Sequence, residues 1–397
     1  MRTVRTEAAV IRGTGREWEI AELDLDPPAP REVRVRMLVA GLCHSDEHLR
    51  HLPAGTLPVR YPMVGGHEGA GVVEEVGAGV TRVRPGDHVV CSSVPACGTC
   101  RRCGQGRQNL CELGGNGLDG ALYTPAGGYR FHAGGQDFGG MSYLGTFAQY
   151  AVVGEASLVP VGPDIPFDAA ALIGCSVLTG WGTVVRAAEV RPDETVVIYG
   201  IGGSGVHAVQ GARWAGARHI VAVDPVASRR DTAEELGATH TAADAEQAHR
   251  IVAQLTAGRL ADHCVVLVGT VTPEVVSRAV DVIGRGGTVT LAGIGDPTEN
   301  TVQLNGTLLA LRHKRLQGAL FGGVNTLTDV PLIVDLYRRG EIQLDSLVSG
   351  RYRLADISEG YRRLHGGHGV RHLIVHEHDP AWPRRNGWSS ASSCWPG

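Results

Sequence analysis

The chain has 397 residues, enough for about two domains, and 43% of them are hydrophobic, which supplies material for real cores. Its 37 basic and 41 acidic side chains leave a formal charge of −4. That balance gives no basic field to hold a polyanion, so nucleic acid is not an expected partner.

The apolar runs are short and broken by glycine, so no membrane-spanning helix and no membrane partner are expected. The first residues, "MRTVRTEAAVIRG", lack the apolar stretch of a secretory signal. A cytoplasmic location follows as the default. In that compartment nine cysteines read as metal ligands or buried thiols rather than disulfides.

The N-terminal part is β-like. "EVRVRMLVAGLC" and "GAGVVEEVGAGVTRVRPGDHVVC" alternate apolar and polar residues between glycine turns, which predicts a compact antiparallel barrel. Next comes "PACGTCRRCGQGRQNLC", residues 95–111, with Cys97, Cys100, Cys103 and Cys111. Four thiolates complete a tetrahedral zinc and leave no open position, so such a site is structural. An iron–sulfur cluster, a disulfide pair or buried free thiols are the alternatives. The arginines of this loop, Arg101, Arg102 and Arg107, read as solvated or as part of a subunit contact. The glycine-rich stretch 114–140 reads as a loop that shapes substrate entry or a subunit contact.

Near residue 165 the texture changes, and "FDAAALIGCSVLTGWGTVVRAA" reads as helical. Strands and helices then alternate, with helices predicted over 203–215, over 227–236 and after Pro273. Such alternation predicts a doubly wound parallel sheet. Within it, "TVVIYGIGGSGVHAVQ" puts Gly200, Gly202, Gly203 and Gly205 between a strand and a helix. Glycines there let the backbone approach a pyrophosphate, and the helix start offers it free N–H groups. Asp224 ends the next strand, where a carboxylate accepts from the adenosine-ribose hydroxyls. This favours NAD over NADP, with Arg229, five residues on, arguing the other way. After about residue 320 a helix in "VPLIVDLYRRG" and short strands suggest a return to the first domain. The tail 379–397, which carries Cys394, has no periodicity and is expected to be disordered.

Three further residues are scattered: Cys43 in "GLCHSDEH", His67 in "GGHEGAG" and Cys175 in "IGCSVLTGWG". Three N/S ligands leave zinc one open position, as catalytic sites require. Taken singly, each also fits a satisfied core residue.

These pieces, in this order and together with "GVRHLIV", resemble the zinc-containing medium-chain alcohol dehydrogenases over about residues 5 to 376. The fold implied is α/β: a GroES-like β-rich catalytic domain (1–172, with the zinc lobe 95–111), a Rossmann cofactor domain (173–320) and a return to the catalytic domain (321–378). The resemblance implies Cys43, His67 and Cys175 as catalytic zinc ligands and the four-cysteine loop as a structural zinc site. Asp46 and Glu68 would support the catalytic site, and a carboxylate bonded to a ligand imidazole fixes its tautomer. Ser45 and His48 match the proton-relay positions. His44, Thr179 and Arg371 match cofactor contacts. The chemistry implied is hydride transfer between a primary alcohol, or its aldehyde, and NAD, with two zinc ions per chain.

The segments "CSSVPACGTCRRCGQGRQNLCELGG" and "YRFHAGGQDFGGMSYLGTFAQY" resemble an actinobacterial-type branch, the nicotinoproteins. These keep NAD bound and pass electrons to another acceptor, such as a nitroso-aniline. A thiol-dependent formaldehyde dehydrogenase is the alternative within the family. A zinc hydrolase with Glu68 as base is the alternative outside it. Family members pair through their cofactor domains, so a homodimer or homotetramer is expected.

Overall fold

The computed structural model describes residues 2–51, 60–114, 128–295 and 302–378. The predicted alternation in the first part closes into a five-stranded barrel. Val4–Ile11 and Glu19–Leu25 pair antiparallel, and Phe131–Ala133, Gln136–Gly140 and Met63–Val64 complete the circuit. Beside it lies a seven-stranded sheet centred on Glu32–Gly41. Alternate residues of these strands, among them Val33, Val35, Met37 and Val73, pack into one buried cluster with Leu23, Leu25 and Phe138. Burying each large side chain of this kind stabilises the fold by about 2 kcal/mol relative to exposure.

The stretch 114–140 departs from the loop expected of it. Its residues 115–127 lie outside the described residues, but Phe131–Ala133 and Gln136–Gly140 form a hairpin that belongs to the barrel. Gly134 and Gly135 take φ of 56° and 78°, the pair of positive values that a two-residue hairpin turn with the right twist needs. Phe131 and Phe138 face each other across the strands and are buried. The glycines that suggested a loop make a turn.

The second half is a parallel sheet of six strands. Its order is His240–Ala242, His219–Val223, Thr195–Tyr199, Ala261–Val266, Ile283–Leu291 and Arg315–Gly318. The central strands are valine- and isoleucine-rich and buried on both faces, as helix-covered parallel strands must be. The order reverses at Thr195–Tyr199, the edge of a topological switch point where ligands bind at the carboxyl ends of strands. Helices Gly205–Trp214, Ala227–Leu236 and Pro273–Val282 occupy the predicted places.

The chain then returns to its first half. Val348–Arg353 lies parallel to Arg371–Val375, which pairs antiparallel with Glu32–Gly41, Leu373 opposite Gly41. Residues 167–187 form one helical run between the two halves. By length and composition this 21-residue run could cross a bilayer, contrary to the expectation that no apolar run is long enough. In its most apolar stretch 78% is buried inside the protein, which makes it an interior helix of the fold.

Candidate active site

The strand Glu32–Gly41 delivers Cys43 to the cleft between the halves, and the helix His44–His51 follows at once. Asp46 folds back from that helix. Its carboxylate accepts from Cys43 N (3.3 Å) and Gly66 N (3.1 Å) and stands 3.1 Å from Nδ1 of His67. This fixes the imidazole with Nε2 facing away from Asp46. Burial works against a charged His67, but Asp46 and Cys43 outweigh it and raise its pKa well above the usual range. Cys175 arrives from the interior helix, in a π-helical stretch Ile173–Val177. Such one-residue bulges recur at functional sites because they re-aim a side chain. The donor atoms of Cys43, His67 and Cys175 lie within 4.8 Å of one another. Hydrogen bonding from Cys175, joined by the His67 charge, holds the Cys43 thiol well below its ordinary pKa against the opposing effect of burial. Three segments far apart in sequence thus converge as a two-thiol, one-imidazole set, the donor chemistry of an open zinc site.

The four-cysteine loop is equally compact. Its sulfurs lie within 4.8 Å of one another, with Cys97–Cys103 at 3.8 Å and Cys100–Cys111 at 4.0 Å. A disulfide would bring two of them to about 2.05 Å, so the disulfide alternative falls. Thiolates around one zinc at 2.3 Å bonds sit about 3.8 Å apart, which fits a single ion; a multi-iron cluster would hold them further apart. The amides of Thr99 and Cys100 donate to Cys97 Sγ at 3.4 and 3.2 Å, and Cys103 N donates to Cys100 Sγ at 3.4 Å. Such donors stabilise thiolates.

Glu68 follows His67 and is fully buried. Arg371 donates to its Oε1, and Ser176 Oγ donates to the same oxygen at 3.4 Å. Burial raises the Glu68 pKa to about 7 against the pull of Arg371. Oε2 has no partner among the described residues. Arg371 also lies against Gly203 of the glycine turn, where a Cβ would run into its guanidinium. The sequence reading gave Glu68 and Arg371 separate tasks; their contact, and the part of Ser176, emerge only in the fold.

Gly200 ends its strand at φ 88°, with the Val268 backbone 2.8 Å from where a Cβ would stand. Gly202 faces open space in the cleft, as a backbone cradle for a phosphate should. Asp224 is buried and accepts from Ile201 N and Val226 N, both at 2.9 Å, so it braces the turn as well as lining the cleft. Arg229 stands 3.7 Å from it, with a buried Nε that lacks a partner among the described residues.

Ser45, His48, His44 and Thr179 all line the same cleft, about 1340 Å³ in volume. Ser45 Oγ is 3.6 Å from Cys43 Sγ. His44 meets the ring of His365 edge-on at 5.6 Å, and burial lowers its pKa. One arginine of the zinc lobe departs from its expected place: Arg102 is half-buried and lines the cleft, while Arg101 and Arg107 are exposed.

The cleft therefore holds an open two-thiol, one-imidazole site at one end and a glycine turn at the other. Residues 29–163 match the alcohol dehydrogenase GroES-like domain, and residues 203–336 match the zinc-binding dehydrogenase domain. The chain belongs to the zinc-binding alcohol dehydrogenase family. It is 52% identical over 373 residues to putative alcohol dehydrogenase D of Mycobacterium tuberculosis, covering 94% of this chain and all of that one. It is 49% identical over 376 residues to the NDMA-dependent alcohol dehydrogenase of Amycolatopsis methanolica, covering 95% of this chain and all of that one. Among solved structures, benzyl alcohol dehydrogenase from Acinetobacter calcoaceticus superposes with a TM-score of 0.85 at 30% identity, covering 94% of this chain and 99% of that one.

Proposed function

We propose that this protein is an NAD-dependent zinc alcohol dehydrogenase that interconverts primary alcohols and aldehydes. The observation that carries the reading is one cleft holding both the Cys43–His67–Cys175 set and the Gly200–Gly205 turn. A zinc hydrolase would need only the first, so the hydrolase alternative has nothing to say about the second.

Two zinc ions fit the chain, one held by Cys43, His67 and Cys175, the other by Cys97, Cys100, Cys103 and Cys111. When bound, zinc supplies Lewis acidity toward a substrate oxygen and NAD supplies a hydride acceptor. The chain's own residues do the rest. Asp46 holds the His67 tautomer. Gly200, Gly202 and Gly203 line the cleft where the pyrophosphate would lie, and Gly205 lets the helix close on the Gly200 carbonyl; Arg371 is the charged contact, His44 a neutral hydrogen-bonding one, and Thr179 stands at the nicotinamide end. Asp224 takes the ribose, flanked by Arg229. Ser45 receives the alcohol proton and His48 passes it toward solvent. We assign residues 1–172 and 321–378 to the catalytic domain and 173–320 to the cofactor domain.

Pairing of two chains through the cofactor domain is supported by exposed Leu308, Leu311, Leu316 and Leu320. Leu316 lies in, and the others on either side of, the edge strand Arg315–Gly318, which pairs on one side only among the described residues. A cytoplasmic setting agrees with eight described cysteines of which none is in a disulfide among the described residues.

The likeness to an NDMA-dependent relative supports retained NAD and a separate electron acceptor. The test is a panel of alcohols and aldehydes assayed with and without added NAD, with a nitroso-aniline acceptor in parallel, beside nucleotide released from denatured protein. Turnover of primary alcohols is expected, with stoichiometric NAD released. Absence of turnover under every condition overturns the dehydrogenase reading; turnover only with added NAD overturns retention.

A further inference from the structure

Just after the last strand of the parallel sheet the chain makes a left-handed turn. Phe321, Gly322 and Gly323 take φ of 52°, 66° and 73° in succession. Glycine accepts such values, but a bulky side chain does not, so the backbone is strained at Phe321. Strain of this kind persists only where the surroundings over-determine it. Part of the support is packing. Phe321 is buried in one cluster with Leu178, Trp181 and Val324. Gly322 lies on the interior helix, where a Cβ would stand 2.5 Å from Leu178 O and 2.8 Å from Thr179 O.

The rest of the support comes from a remote segment. Asn109 holds both ends of the turn. Its Nδ2 donates to Leu320 O (3.1 Å) and its backbone N donates to Val324 O (3.2 Å). Asn109 is buried and belongs to the four-cysteine lobe, two residues before Cys111. The lobe has a second hold, beyond the turn. Gln108 N donates to Asn325 Oδ1 at 3.0 Å, and Leu327 N donates to Gln108 Oε1 at 2.9 Å.

The turn faces the cleft. Ala319, Leu320 and Phe321 line it, together with Cys175 and Thr179. Thr179 follows Cys175 by four residues in the same helical run, about one turn on. A hydride acceptor has to sit beside the substrate carbon. The metal end of the cleft is therefore where the nicotinamide belongs, and the turn packs on Thr179 at that end.

We propose that Asn109 is a positioning residue for the nicotinamide end of the cofactor: it clamps the turn 320–324, and the four-cysteine lobe is the mount of the clamp. The proposal rests on the dehydrogenase reading for the identity of the ligand. The clamp itself stands on the bonds at both ends of the turn.

The experiment uses ADP-ribose, which lacks only the nicotinamide of NAD. Labelled NAD competes with ADP-ribose in equilibrium dialysis against wild type, Asn109→Leu and Gln108→Leu, each shown to hold its full zinc content. Asn109→Leu is expected to lower the preference for NAD about tenfold, the scale of one lost hydrogen bond. Gln108→Leu loosens the lobe without touching the turn and should leave the preference within about a factor of two. An unchanged preference in Asn109→Leu overturns the proposal. So does an equal fall in both variants, since the effect would then belong to lobe docking as a whole. If Asn109→Leu does not keep its zinc, Asn109→Ser, which removes the amide but keeps a small polar side chain, is read in its place. If wild type binds neither nucleotide, the dehydrogenase reading fails and hydrogen exchange of the 320–324 amides decides the clamp. Exchange about tenfold faster in the Asn109 variant supports it, and unchanged exchange overturns it.

Discussion

Arg371 donates to Glu68 in an ion pair withdrawn almost wholly from water, and this pair ties the metal-site loop to the nucleotide turn. The arginine comes from the last strand of the returning chain, and Gly203 lies against its other edge. Removing one partner of a buried pair costs about 3–5 kcal/mol, because the remaining charge is stranded. Arg371→Leu is therefore expected to destabilise the protein on that scale and to weaken NAD binding. Glu68→Gln keeps an acceptor for Arg371 and should cost less. Denaturant midpoints and nucleotide binding for the two variants check this; equal midpoints for Arg371→Leu and wild type would remove the pair from the account.

The two cysteine clusters should separate in behaviour. His67→Ala or Cys43→Ser is expected to lose one zinc per chain and all turnover, while the fold stays. Cys103→Ser opens the other site, whose ligands come from one loop and brace it. Structural zinc binds with apparent energies of order 10 kcal/mol, so even partial loss should lower stability by about 3 kcal/mol or more. Metal content together with thermal unfolding distinguishes the two. A His67→Ala protein that still holds two zinc ions would refute the assignment.

The sequence made some of this legible and hid the rest for physical reasons. The parallel sheet could be read because each of its central strands is a continuous apolar run next to a helix of clear period. The strand His240–Ala242 has three residues, too few for a pattern, and the helix Ala245–Leu255 behind it was passed over. A local signal for that helix was present: Asp244 accepts from Gln247 N at 2.8 Å, and Gln247 reaches back to Ala243 N. The hairpin around Gly134 was misread because glycine marks loops and tight turns alike. Cys43, His67 and Cys175 could be named through family resemblance, but only the fold brings them together. Nothing local marks Asn109 or Ser176, since their partners come from remote segments.

Ser45 and His48 line the cleft without bonding each other, so a proton passing between them needs a bridging group such as a cofactor hydroxyl. Ser45→Ala is expected to slow alcohol oxidation by roughly 10²-fold, the scale of a lost proton path. Ser45→Thr keeps the hydroxyl and should retain most of the rate. Steady-state rates with zinc content held equal decide the matter; a Ser45→Ala rate within about a factor of two of wild type excludes Ser45 from the relay.

His376 gives the fold a defined weakness toward acid. It is buried after the last strand, its Nε2 is 2.9 Å from Thr146 O, and burial pulls its pKa down to about 3. In the unfolded chain the same group titrates near 6.5. Between these values the unfolded state binds a proton that the folded state refuses, so stability rises with pH through that window and falls as pH drops below about 6.5. From pH 7 to about pH 5 the loss from this one group is about 2 kcal/mol. His207, buried and likewise near 3, adds a comparable slope. His376→Gln preserves a donor toward Thr146 O and cannot titrate. Its stability relative to wild type should therefore improve by about 2 kcal/mol over the same pH range. Denaturant midpoints at both pH values read this directly, and a wild-type minus variant difference that does not change with pH would show that His376 is not held neutral in the fold.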